Sequence, residues 1–301
     1  MIGYEGWQFD QYFLDLLIGR GGFADIYRAW DTHLSRWVAI KMPRKGLTDK
    51  EHQKFIKEAR IMAKLNHPHI VTVFEANIIE LFQLSSYRKI PYFVMSYAPN
   101  GSLAERHPHG EMIDMDIIMD YMEQIVDALE YIHSNRPGKH SLIHQDIKPA
   151  NILLGIDNEI LICDFGIARF IQNTRTHVIS VADEDWAGTV IYMAPERFDG
   201  LASPATDQYA LGIMLYEWLT GKYPFYGTKA EIIRQQIHTP PPSLRATAPD
   251  ISTAIEQAVL KALSKNPDAR FKNVRELFLA LEEARHPSFP HSLIAFLKGG
   301  Y

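Results

Sequence analysis

A chain of 301 residues, 47% hydrophobic and 22% charged, has the composition of a soluble globular protein and enough apolar material for one or two packed lobes. Its formal net charge of -5 supplies no overall positive field to recruit nucleic acid or anionic lipid, so no nucleic-acid partner is expected. The single cysteine, Cys163, excludes an intramolecular disulfide and a cysteine-rich zinc site and fits a reducing compartment.

Residues 1–10 lack a basic segment followed by an apolar run, and no apolar stretch approaches the length of a membrane span. A cytoplasmic location is therefore expected, with a membrane-anchored or sensor region free to follow Tyr301 in a longer parent.

The predicted elements begin with a strand over 13–18. Gly19-Arg20-Gly21-Gly22-Phe23-Ala24-Asp25-Ile26-Tyr27 then makes a glycine-rich turn that leads into a second strand. Glycines there let backbone N–H groups approach a phosphate, and the absence of a following helix argues against a dinucleotide fold. Taken alone, a plain hairpin turn explains the stretch about as well. Trp37-Val38-Ala39-Ile40-Lys41 alternates as a strand, and 49–65 carries apolar Phe55, Ile56, Ala59, Met62 and Ala63 at helical spacing together with Glu58. Lys50, Lys54, Lys57, Arg60 and Lys64 on that helix are read as a solvated face. Strands over 71–79 and 91–97 complete a small antiparallel sheet, with 81–90 as a polar turn between them.

A long buried helix is predicted over 116–133 from Ile117, Tyr121, Gln124, Ile125, Ala128, Leu129 and Ile132, ended by Arg136-Pro137-Gly138. It feeds His144-Gln145-Asp146-Ile147-Lys148-Pro149-Ala150-Asn151, which is followed by apolar strands over 152–154 and 160–163 and then by Asp164-Phe165-Gly166. This places two carboxylates, an amide and an ammonium in loops at strand ends. A hard cation such as Mg2+ takes such oxygen donors and completes its shell with phosphate and water. Asn151 and Asp164 suit the metal, Lys148 a phosphate, and Asp146 is left to accept a proton. A polar stretch over 167–186 precedes Ala187-Gly188-Thr189 and Ala194-Pro195-Glu196, and helices are predicted over 203–220, 230–237, 251–263 and 274–284.

These segments resemble a protein kinase of the bacterial, eukaryotic-like Hanks serine/threonine type over residues 13–284. The catalytic-loop pattern H-R-D-x-x-x-x-N and the D-F-G triplet match residues 144–151 and 164–166, A-P-E matches 194–196, and V-A-I-K matches 38–41. The glycine stretch is similar to G-x-G-x-x-G-x-V, with Ala24 at the third glycine and Ile26 at the valine. Lys148 and Gly188-Thr189 resemble the serine/threonine rather than the tyrosine kinases.

The resemblance implies an α+β, two-lobed fold: a small antiparallel sheet lobe with one helix over 1–97, a larger helical catalytic and substrate lobe over 98–285, and a tail over 286–301. It implies ATP and Mg2+ as cofactors and a protein with a Ser or Thr acceptor as partner. Ile18, Gly19, Gly21, Gly22, Ala24, Ile26, Ala39, Lys41, Glu58, Met95, Ser96, Ala98, Leu153 and Asp164 fall at the family's nucleotide positions. Lys41 and Glu58 would form an ion pair, Met95 would back the adenine or simply pack in the core, and Ser102 would meet the ribose or simply cap the following turn. Asp146 would accept the hydroxyl proton, Lys148 would neutralise the moving phosphoryl, and Asn151 with Asp164 would hold Mg2+. Asp207 would brace the catalytic loop and Arg270 would pair with Glu196.

Two alternatives compete. A pseudokinase scaffold usually lacks residues equivalent to Lys41, Asp146 or Asp164, and all three are present; a small-molecule phosphotransferase generally lacks the A-P-E segment. The main departure is Gln145, where the common motif has arginine able to pair with an activation-segment phosphate. Activity is accordingly expected not to depend strongly on phosphorylation of Thr174, Thr176 or Ser180, unless a basic residue elsewhere replaces the arginine. Cys163 is either a pocket-lining thiol or, as free cysteines mostly are, an inert core residue.

Overall fold

The computed structural model describes residues 4–20, 24–43, 49–83, 86–134, 141–165, 169–170 and 190–286. Two compact units emerge, Met1–Gly101 with Leu153–Ile167, and Ser102–Ile152 with Ala168–Tyr301. The architecture is α+β, as the sequence implies.

In the first unit six strands form one antiparallel sheet: β1 (Gln8–Phe9), β2 (Tyr12–Arg20), β3 (Ala24–Asp31), β4 (Arg36–Pro43), β5 (Val73–Gln83) and β6 (Ser86–Ser96), in the spatial order β1-β2-β3-β4-β6-β5. Side chains alternate between the faces of a strand, so two sets separate cleanly. Leu14, Tyr27, Ala29, Val38, Ile40, Met42, Tyr92 and Val94 make one buried cluster. Ala39, Lys41, Phe93 and Met95 lie on the opposite face, because Lys41 pairs with Phe93 and Ala39 with Met95 across the β4–β6 register. Against this second face lies α1 (Asp49–Met62), which sets the Phe55 ring 5.1 Å from that of Phe93. Each fully buried large apolar side chain of this kind contributes about 1.5–3 kcal/mol. Phe55, Ala59, Ile61 and Met62 are buried while Lys57, Arg60 and Lys64 are exposed, as expected of the basic face at those three positions; the side chains of Lys50 and Lys54 lie outside what is described.

The expected turn over 81–90 is instead strand on both sides. The β5–β6 ladder runs from Ile79–Ile90 through Glu80–Lys89 to Gln83–Ser86. Lys89 and Glu80 pair across the ladder at 3.1 Å, a cross-strand contact that local composition does not announce.

The second unit is mostly helical: α2 (Leu103–Arg106), α3 (Met115–His133), α4 (Pro204–Thr220), α5 (Lys229–His238), α6 (Thr253–Ala262) and α7 (Val274–Arg285). The buried face of α3 is Ile118, Met119, Met122, Ile125, Val126, Ala128, Leu129 and Ile132, and the expected core residue Ile117 is 41% exposed. The apolar stripe thus starts one residue later than Ile117 suggests, since Met119 and Met122 hold the i, i+3 positions. The predicted breaker at 136–138 lies outside the described residues.

Helix α4 is buried on every side, with Leu211, Ile213, Leu215 and Trp218 at 2% exposure or less. It starts at the cap Ser203 with Pro204 in its first turn and ends on Gly221 at φ +67°, the left-handed conformation that glycine takes without a Cβ clash. A Cβ at Gly212 would stand 2.9 Å from a Leu263 methyl, so only glycine lets α4 come this close to the end of α6. This central helix is what carries Asp207 to the loop that holds His144 and Gln145.

Candidate active site

In the first unit the site is built around Lys41. Its Nζ lies 2.6 Å from Glu58 Oε1 on α1 and 3.4 Å from Asp164 Oδ1. Strand alternation points Lys41 toward α1, and helical spacing buries Glu58 alongside Phe55 and Ala59. Asp164 is brought there by the short strand Ile160–Ile162: the Ile162 N–H donates to His69 O at 2.9 Å and the Val71 N–H donates to Ile162 O at 3.0 Å. Asp164 itself adopts φ +62°, a conformation uncommon for a residue with a Cβ, while the next residue, Phe165, is fully buried. Burial works against the Lys41 ammonium, but Asp164 and Glu58 overcome it and hold its pKa above the ordinary lysine value. Burial pushes the Glu58 carboxyl up, with Lys41 opposing.

The other expected nucleotide residues of this unit distribute by sheet register. Gly19 pairs with Ile26 and Ile26 with Lys41, so Ile26 shares the face of Lys41, Ala39 and Met95. Ala24 and Met95 are buried, Ile18 is 40% exposed, and Ser96, Ala98 and Leu153 are half-buried. Ser96 exchanges hydrogen bonds with the Thr72 backbone, its Oγ accepting from Thr72 N–H at 3.1 Å and its own N–H donating to Thr72 O at 2.9 Å. Cys163 is half-buried. Gly21, Gly22, Gly166 and the segment 171–189, with Thr174, Thr176 and Ser180, lie outside the described residues, as does the tail beyond His286.

In the second unit the site is built around Asp146. Lys148 Nζ lies 2.9 Å from Asp146 Oδ2, and Asn151 Nδ2 donates to the same oxygen at 2.9 Å and to the Asp146 carbonyl at 2.8 Å. A single 3-10 turn, Pro149–Asn151, folds Asn151 back toward Asp146, closed by Asn151 N–H donating to Lys148 O at 2.9 Å. Both contacts of Asn151 use its amide nitrogen, so its carbonyl oxygen is the atom it would offer to a cation.

Beneath this loop Asp207 is fully buried. Its carboxylate accepts from the N–H of His144 at 2.9 Å and of Gln145 at 2.7 Å, and meets His133 Nε2 at 2.7 Å. Burial would push Asp207 up, but the His133 hydrogen bond, the nearby His144 and the Gln145 amide prevail and hold it below the usual carboxylate range. The Asp207 brace was expected; His133 was not, and its position at the end of α3 is a signal only once α3 and α4 are known to be adjacent.

The Glu196–Arg270 pair forms as expected, with two parallel bonds of 2.7 and 2.8 Å. Thr206 Oγ1 adds a third donor to Glu196 at 3.0 Å. Ser102 is a helix cap: its Oγ accepts from Glu105 N–H at 3.3 Å, and Glu105 Oε2 accepts from Ser102 N–H at 2.7 Å. The side-chain amide oxygen of Gln145 accepts from Arg197, a partner the sequence reading did not identify.

Comparison with known proteins follows the same lines. The model of the protein kinase domain matches residues 12–282. A probable serine/threonine-protein kinase of Streptomyces coelicolor is 35% identical over 279 residues, 90% of this chain and 39% of the relative. Serine/threonine-protein kinase PknB of Mycolicibacterium smegmatis is 34% identical over 94% of this chain and 45% of its own length. Serine/threonine-protein kinase PrkC of Bacillus subtilis is 35% identical over 87% of this chain and 38% of its own length. The chain therefore spans less than half the length of these curated relatives.

Proposed function

We propose that this chain, which belongs to the protein kinase domain family, transfers the ATP gamma-phosphoryl group to serine and threonine hydroxyls of proteins, itself included. Members of this family use ATP and a divalent cation. The observation that carries the reading is the state of Asp146: a carboxylate held in one orientation by Lys148 and Asn151, on a loop anchored by Asp207.

In this reading Asp146 orients the acceptor hydroxyl and takes its proton, while Lys148 neutralises the phosphoryl group as it moves. Lys41, fixed by Glu58, meets the nucleotide phosphates. Ile18, Gly19, Gly21, Gly22, Ala24, Ile26, Ala39, Met95, Ser96, Ala98 and Leu153 contact the remainder of ATP. Residues 1–97 clasp the nucleotide, 98–285 carry catalysis and the protein substrate, and 286–301 form a tail, with the cytoplasm as the place of action. Positioning and charge neutralisation supply nearly all of the rate in phosphoryl transfer, and fixed side chains of this kind provide both.

The donor set fits Mg2+. Asn151 offers a carbonyl oxygen, Asp164 offers a carboxylate that is 45% exposed, and both are the hard oxygen ligands that this ion prefers. Asn151 and Asp164 would hold the ion, and it would supply positive charge to offset that of the phosphates. A pseudokinase scaffold is disfavoured by the presence of Lys41, Asp146 and Asp164 and by the kinase names of the relatives. Mass spectrometry of the chain after incubation with ATP and Mg2+ tests the proposal. Phosphoserine or phosphothreonine on protein is the expected result; phosphate on a small metabolite alone, or on nothing, would overturn it.

A further inference from the structure

Gln145 occupies a costly position. Its backbone sits at φ +69°, a left-handed conformation that is strained for a residue with a Cβ and persists only where the surroundings impose it. Two groups do so here. Asp207 Oδ1 accepts the Gln145 N–H at 2.7 Å, and the Arg197 guanidinium donates to the Gln145 side-chain oxygen. Both side chains are buried, Gln145 at 7% and Arg197 at 4% exposure. Arg197 comes from the 3-10 turn Pro195–Arg197 directly after the A-P-E triplet, and the preceding Glu196 ties that turn to Arg270. A cavity of about 10 Å³ lies beside the contact, lined by polar Gln145, Asp146 and Arg197 and by apolar Ile147, Met193 and Ala210, inside the unit.

A backbone twist at residue 145 decides where the side chain of residue 146 points. If Gln145 relaxed to an ordinary φ, the Asp146 carboxylate would leave its bonds with Lys148 and Asn151. The common motif carries its guanidinium at 145, on the catalytic loop; here the loop presents a neutral amide and the guanidinium arrives from the A-P-E turn. We propose that Arg197 is a positioning residue for phosphoryl transfer. Through Gln145 it sets the orientation of Asp146, so that the guanidinium at this contact comes from residue 197 where a chain with the common motif would carry one at 145.

This rests on the kinase reading above, and the test keeps the two apart. Phosphoryl transfer, ATP affinity and thermal unfolding are measured for the unmodified chain, Arg197→Gln, Gln145→Arg and the exchanged double variant Gln145→Arg with Arg197→Gln. A chain without transfer would defeat the kinase reading before Arg197 is in question. In an active chain, Arg197→Gln lowers kcat by on the order of tenfold to a hundredfold, as a displacement of about 1 Å at the reacting groups does. Its ATP affinity stays within about threefold, because the residue is proposed to act on Asp146 rather than on nucleotide. Gln145→Arg is impaired by the apposition of two buried guanidinium groups, and the exchanged variant regains kcat to within about threefold of the unmodified chain. Should a single variant fail to fold, recovery of both folding and kcat in the exchanged variant still supports the proposal. An unchanged kcat in a folded Arg197→Gln, or an exchanged variant no better than the worse single variant, would overturn it.

Discussion

Arg270 holds Glu196 with two parallel hydrogen bonds, Nη1 to Oε1 at 2.7 Å and Nη2 to Oε2 at 2.8 Å, with neither side chain more than 9% exposed. The remaining Arg270 donors are also engaged, Nε with Ser264 O and Nη1 with Ala205 O, both at 2.8 Å. Removing one member of a buried pair leaves the other charge stranded, at a cost of about 3–5 kcal/mol. Arg270→Ala is thus expected to lower the unfolding free energy by that amount in urea denaturation at neutral pH. Replacing both partners by apolar residues, Glu196→Leu with Arg270→Met, recovers much of the loss. A single variant as stable as the parent would show that the pair is not structural.

Asp207 predicts a particular acid response. Its carboxyl is held below the usual range in the folded chain, so its contribution is fully present above the unfolded carboxylate pKa of about 3.9 and is lost as pH falls through the lower folded value. In Asp207→Asn the titration is absent. The stability difference between parent and variant is expected to be constant above about pH 5 and to shrink below about pH 4. A difference that does not change with pH would contradict the assignment of the depressed group to Asp207.

Ser102 separates two readings of one serine. As a cap it satisfies Glu105 N–H and is itself satisfied by Glu105 Oε2, so Ser102→Ala should cost about 1 kcal/mol. ATP KM should stay within about twofold, since uniform binding is what KM reports when kcat is unchanged. A tenfold rise in KM at unchanged stability would instead assign Ser102 to the nucleotide.

What the sequence made legible was whatever lies close along the chain or repeats with a period. Lys41 alternates within a strand, Glu58 lies on the next helix, and Asp146, Lys148 and Asn151 fit within six residues, so short motifs carried the resemblance that implied their roles. Relationships made by packing were not readable. Arg197 looks like any polar residue after a turn until it is seen 52 positions away on Gln145, and His133 ends α3 with no local mark of the Asp207 it meets. The same limit explains Ile117, which is apolar yet exposed, and the β5–β6 ladder, whose continuation to Gln83 and Ser86 depends on pairing across two strands. Periodicity records which face is apolar, not which neighbour covers it.

The most direct measurement compares the unmodified chain with Asp146→Asn in single-turnover transfer of labelled gamma-phosphate from ATP with Mg2+, alongside ATP affinity by calorimetry. The asparagine keeps the shape and the contacts of Lys148 and Asn151 within reach but cannot take a proton. The predicted result is a loss of about 10²–10⁴-fold in transfer rate with ATP affinity within about threefold. Equal rates in the two proteins would contradict the role given to Asp146 and, with it, the proposed reaction.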